Sequence, residues 1–344
     1  MRGELRPRGA LTERLLAAWA QDVHVIDARL PDQEIDPLED EDLQLALYLC
    51  YELHYRGLPG VDERWEWEPS LLGLRRELET RLEQALTDAV APVQQLVPAG
   101  EIDLALRAIA ERDSPPLSNY IRASADLDQV REFFIHRSVY QLKEADPHSW
   151  AIPRLWGAPK AALIEIQADE YGGGRAEWIH AELFARAMTA VGLDRTYGAY
   201  LDQIPAVTLA TVNLMSLFGL HRRWRGAIIG HLALFEMTSS IPNRRYADGL
   251  RRLGLGGDAT LFFDEHVEAD AVHENVAAVD LAGGLIRQDS SLCRSLLWGA
   301  EVLAELDARW AAHLLECWRD HRTSLLHAPA EAVDDDRQPL LSAN

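Results

Sequence analysis

Apolar residues recur along this chain at the three- and four-residue intervals of one helix face. Leu43, Leu45, Leu47, Tyr48 and Tyr51 make one such set, and Leu71, Leu72, Leu78, Leu82 and Leu86 another. No run of alternating β-branched residues is bounded by hairpin turns, so the pattern predicts an all-α protein. Breakers divide the helical stretches at Pro98-Ala99-Gly100, Ser114-Pro115-Pro116, Pro153, Gly172-Gly173-Gly174, Pro242 and Gly254 to Gly257. Pro115-Pro116 is the expected boundary between an N-terminal helical segment, residues 1–115, and a helical core, residues 116–326. The last stretch, 327–344, is short and polar, carries Asp334-Asp335-Asp336, and reads as a disordered tail.

Composition narrows the class of partner. The 344 residues carry 55 acidic against 34 basic side chains, a formal charge of −21. Such a surface repels phosphate backbones and anionic lipid, so nucleic acid and membrane are not expected partners. The most apolar region, Thr208 to Phe235, is split by His221-Arg222-Arg223-Trp224-Arg225, and neither half has the roughly 20 residues of a membrane span. Cys50, Cys293 and Cys317 are odd in number, far apart and without a CxxC. They argue against a disulfide framework and for a reducing cytoplasm, and no signal peptide is read at the N-terminus.

The chemistry concentrates in histidines and carboxylates. His266, Asp270 and His273 stand at i, i+4 and i+7, within one stripe of a helix, where two imidazoles and a carboxylate suit iron, manganese or zinc. A solvated acidic helix with two incidental histidines is the structural alternative. Metal in a helical bundle needs ligands from further helices. Glu177-Trp178-Ile179-His180 offers a Glu-x-x-His pair, with Glu170 seven residues earlier across the three glycines. Glu144 follows a segment with Phe133, Phe134, Val139 and Tyr140, and Glu236 follows Ala233-Leu234-Phe235. A carboxylate amid apolar residues is costly to bury unless paired or metal-bound. His231, the Glu132/His136 pair and Glu52-Leu53-His54 are read as structural. Arg222 to Arg225 and Arg244-Arg245 are read as helix-end or surface charges.

The series of carboxylate helix, carboxylate-plus-His helix, carboxylate helix and His-x-x-x-Asp-x-x-His helix resembles the heme-oxygenase-like diiron oxidases, and within them is most similar to the N-oxygenase branch. The resemblance covers roughly residues 116–326. It implies a heme-oxygenase-like helical bundle with an N-terminal helical extension that makes a homodimer. It also implies two irons held by Glu144, Glu170, His180, Glu236, His266, Asp270 and His273. Glu170 is preferred over Glu177 as the additional carboxylate of that branch. The implied reaction uses O2 and an external electron donor to N-oxygenate a small-molecule amine or amino-acid-like substrate. Hydrogen abstraction from carbon on the same scaffold (desaturation, oxidative decarboxylation or C–C cleavage) is the alternative. A non-catalytic metal-binding helical protein is the alternative of another class.

Overall fold

The computed structural model describes residues 5–31 and 35–327, apart from the side chains of residues 270–272. The expected tail beyond 327 lies outside the described residues. Among those described there is no strand. The helices in chain order are α1 Ala10–Trp19, α2 Glu41–Glu52, α3 Pro69–Ala89, α4 Ile102–Ala110, α5 Leu117–Ala123, α6 Leu127–Gln141 and α7 Asp146–Ser149. They continue as α8 Gly157–Glu170, α9 His180–Ala190, α10 Ala206–Leu220, α11 Arg225–Arg252, α12 Asp258–Asn275, α13 Gly284–Gln288 and α14 Cys293–Arg319. No described helix is long and apolar enough to cross a membrane.

The bundle is organised around α11, which packs on α12 and α14 and also meets α5 and α10. Its contact with α14 is close because both helices present glycine there. A Cβ on Gly230 would overlap the Leu296 carbonyl, and one on Gly299 would overlap the backbone of Ala227. Pro242, expected to break the chain, instead lies inside α11. Just before it the Thr238 hydroxyl donates to the Leu234 carbonyl and the Ser239 hydroxyl to the Glu236 carbonyl. Side-chain bonds of this kind accommodate a proline within a helix, here in the turn that carries Glu236.

The segment before Pro115 shares its core with the rest of the chain. Leu43, Leu47, Leu74 and Leu106 belong to the same buried cluster as Leu209, Leu234 and Leu296. Helix α2 is capped by Asp40, whose carboxylate accepts from the amides of Asp42 and Leu43, and its residues from Asp42 to Glu52 are all buried. A helix buried all round is an interior helix, and the apolar residues of α2 are taken up by this chain's own α1, α3 and α10. Its last residue, Glu52, makes a buried ion pair with Lys143 at 2.8 Å. Lys143 is the immediate neighbour of Glu144.

Candidate metal centre

Glu144 is not on a helix but in the turn between α6 and α7. The next residue, Ala145, has φ 71, a left-handed conformation that is strained for a side chain with a Cβ. The Gln167 amide from α8 donates to the Ala145 carbonyl at 2.8 Å and helps hold this turn. Glu170 is the last residue of α8. The chain then turns through Gly172, Gly173 and Gly174, all with positive φ, before α9 starts at His180. At Gly172 a Cβ would run into the Trp178–Ile179 peptide, so the turn needs glycine for space as well as for φ. This break overturns the helical Glu-x-x-His reading. Glu177 sits in a separate 3-10 turn and is exposed, whereas Glu170 and His180 come together at 2.9 Å.

Helix α11 brings in Glu236, and α12 brings in His266 and His273. The backbone of Asp270 continues α12 between them, but its side chain lies outside the described residues. Beyond His273 the helix widens into a π-helical stretch, Val276–Gly283. Such widening recurs at functional sites.

The buried side chains form two groups that could each hold a metal ion. Glu144, Glu170, His180 and His266 make the first, and Glu170, Glu236 and His273 the second. Glu170 belongs to both. Within each group the potential ligand atoms lie within 4.8 Å of one another.

The hydrogen bonds around the imidazoles fix which nitrogen faces inward. His266 Nδ1 lies 2.7 Å from the Phe262 carbonyl, which can only accept, so Nδ1 carries the proton and Nε2 points toward Glu144 Oε1 at 3.5 Å. His273 Nε2 donates to Asp169 Oδ2 at 3.0 Å, leaving Nδ1 toward Glu236 Oε2 at 3.5 Å. Asp169 therefore performs the orienting task of the outer carboxylate in carboxylate–histidine–metal arrangements. Sequence reasoning missed it, although an acid directly beside Glu170 was the available signal. The Gln141 amide donates to Glu144 Oε1 at 3.1 Å in the same way.

Electrostatics and polar satisfaction fit a cation. Burial works against a charged His273, but Glu236 and Asp169 outweigh it and hold the imidazole up at about 9. Burial likewise disfavours a charged His180, and Glu170 raises it in spite of that. Burial pushes the Glu170 carboxyl up, while His180, His266 and His273 pull it further down, so the net shift is downward. Glu144 Oε2, Glu170 Oε2, His180 Nδ1 and His273 Nδ1 are buried without a hydrogen bond. The 2.9 Å approach of His180 to Glu170 is too far off line to make one. Buried carboxylate and imidazole atoms that converge without hydrogen-bonding are the donor set a divalent metal satisfies.

A cavity of about 510 Å³ opens beside the first group, with Glu144 and His266 in its wall and Phe235, Leu234, Tyr246 and Trp310 among its apolar lining. The histidines and acids read as structural have structural partners. Glu132 Oε2 accepts from the Trp318 indole and from the Ser324 amide and hydroxyl, and His136 lies between the Thr208 and Ser324 hydroxyls. His231 Nδ1 meets His148 Nε2 at 3.1 Å, and burial lowers both imidazoles, His148 to about 4. His54 pairs with Glu66, Arg223 with Glu83, and Arg225 with Asp289.

A search of curated proteins finds none that matches the chain. The family model described as iron-containing redox enzyme matches residues 131–308, just over half of the chain and a span that includes both groups. With its all-α bundle and its buried glutamate–histidine cluster, the chain belongs to the heme-oxygenase-like family of iron-containing redox enzymes.

Proposed function

We propose that this protein is a non-heme diiron oxygenase that uses O2 to N-oxygenate an amine of a small molecule. The observation that carries the reading is the shared position of Glu170, a single buried carboxylate common to both metal-competent groups. One group would be held by Glu144, Glu170, His180 and His266, the other by Glu170, Glu236 and His273, with Asp270 completing the set. Iron held in this way supplies redox chemistry with O2, its electrons coming from a donor outside the chain.

The chain's own residues have three tasks in that reaction. Asp169 and the Phe262 carbonyl accept from the outer nitrogens of His273 and His266, which turns the inner nitrogens toward the two groups, where a bound cation would displace any proton they carry. The turn at Ala145 and the Gln141 amide fix Glu144, whose other oxygen remains available. The cavity walled by Glu144 and His266 would receive the substrate beside the first group. No protein nucleophile is required.

The test is to load the protein with Fe(II) without oxygen, reduce it, and admit O2 in the presence of a panel of small amines. O2 consumption with hydroxylamine, nitroso or nitro products by mass spectrometry is the expected result. Consumption with only desaturated, decarboxylated or cleaved carbon products would move the assignment to carbon oxidation, and no consumption would refute an oxygenase.

A further inference from the structure

The cavity beside the metal-competent groups is lined by a base and an acid, Arg137 and Asp307, that make no hydrogen bond or ion pair with a described residue. Arg137, on α6 two turns before Glu144, is half-buried with its guanidinium over the rings of Trp310 and Phe235, 5.5 and 5.9 Å from their centroids. It makes no hydrogen bond or ion pair with any described residue. Asp307, half-buried on α14, also has no hydrogen bond or ion pair among the described residues, although the field of Arg137 reaches it. Both line the cavity. Of the other acids in its wall, Glu301 pairs with Arg112 and Glu305 with Arg309 at 2.7 Å, while Asp113 is exposed to solvent.

We infer that Arg137 and Asp307 bind the head group of an α-amino acid, Arg137 taking the carboxylate and Asp307 the ammonium, with the side chain extending toward Glu144 and His266. This rests on the reading of the cavity as the substrate chamber. A half-buried guanidinium has lost much of its water and offers a planar fork that a carboxylate fills with two parallel hydrogen bonds. A half-buried carboxylate has the same need for a cation. Arg137 and Asp307 are close enough to influence one another but do not pair, and an α-amino acid carries its two charged groups on one carbon. One such head group therefore satisfies both. A ligand with only a carboxylate leaves Asp307 unmatched, and one with only an amine leaves Arg137 unmatched. Burial raises the Asp307 carboxyl to about 6, so it is ionised at pH 8.

Three matched probes share a butyl chain: L-norleucine, hexanoate, which lacks the ammonium, and pentylamine, which lacks the carboxylate. Binding to the full chain without added metal is read by ligand-observed NMR at pH 8. Circular dichroism is recorded on wild type, Arg137→Gln, Arg137→Lys and Asp307→Asn. L-Norleucine is expected to bind at millimolar concentration and the other two at least about tenfold more weakly. Arg137→Gln and Asp307→Asn each lower L-norleucine affinity about tenfold or more. Arg137→Gln leaves pentylamine unaffected, Asp307→Asn leaves hexanoate unaffected, and Arg137→Lys restores part of the loss. Should Arg137→Gln fail to fold, Arg137→Lys and Asp307→Asn carry the comparison. The inference is overturned if no probe binds, if a singly charged probe equals L-norleucine, or if the folded variants bind it as wild type does. Iron titration of the same proteins keeps the two proposals apart. Charge-dependent L-norleucine binding by a chain that takes up no iron would refute the diiron reading alone.

Discussion

Replacing Lys143 by Met should destabilise the protein far more than its single ion pair suggests. The side chains of Lys143 and Glu52 are 1% and 2% exposed, and their charged atoms are 2.8 Å apart. Glu52 also accepts a hydrogen bond from the Tyr197 hydroxyl at 2.5 Å. Removing the ammonium leaves a buried carboxylate with one neutral donor and no cation, a change that costs about 3–5 kcal/mol. Glu52→Gln should cost less, about 2–3 kcal/mol, because Gln retains the Tyr197 contact and the stranded ammonium still faces two aromatic rings. Those rings belong to Tyr48 and Tyr55, 4.7 and 4.3 Å from Nζ. The double variant removes both charges together and should lie within about 1–2 kcal/mol of wild type, since a buried pair contributes little net stability. The two single costs would then fail to add by about 3 kcal/mol or more. Urea unfolding followed by both circular dichroism and tryptophan fluorescence measures each corner of the cycle and checks that the transitions coincide. Additive single effects below about 1 kcal/mol would refute the reasoning, because they would mean that water reaches the pair.

Three further outcomes follow from packing and charge. Gly230→Ala drives a methyl into the Leu296 carbonyl and should destabilise by about 3 kcal/mol, despite alanine's better helix propensity. Gly73→Ala, whose Cβ meets only the Ala28 methyl at 3.8 Å, should instead stabilise by about 0.5–1 kcal/mol in the same urea assay. Asp307 has its carboxyl raised from 3.8 to about 6, so the folded chain holds that proton more tightly than the unfolded chain. The resulting penalty is absent below about pH 3.8, grows between there and 6, and is fully present above 6. The shift corresponds to about 3 kcal/mol, reduced to about 1–2 kcal/mol by partial solvent access. Asp307→Asn should therefore raise the melting temperature at pH 8 and leave it unchanged near pH 4, and an equal gain at both would contradict this origin.

The helical class and the grouped acids and histidines were legible because both are written in local spacing. His266 and His273 stand seven apart on α12, and Glu144 and Glu236 stand out as carboxylates beside apolar or aromatic residues. Where the chain leaves regular helix, local spacing misleads. Glu177 and His180 have helical spacing, yet the triglycine turn separates them and leaves Glu177 exposed. Pro242 looked like a boundary, but tertiary packing on α12 and α14 carries α11 through it. Asp169 orients His273 across 104 positions, and Glu52 reaches Lys143 across 91. Separations of that size leave no periodic trace. The common core of α2, α10 and α11 is invisible for the same reason, because it depends on which faces meet and not on which faces are apolar.

The central claim is that one carboxylate serves two metal positions, and iron stoichiometry tests it most directly. Anaerobic equilibrium titration with Fe(II) should load wild type and Glu177→Ala with two irons per chain. Glu170→Ala should lose one equivalent outright and bind the other more weakly, with its helical circular dichroism intact. A wild-type chain that takes up no iron would contradict the account. So would a one-iron deficit confined to Glu177→Ala while Glu170→Ala still binds two.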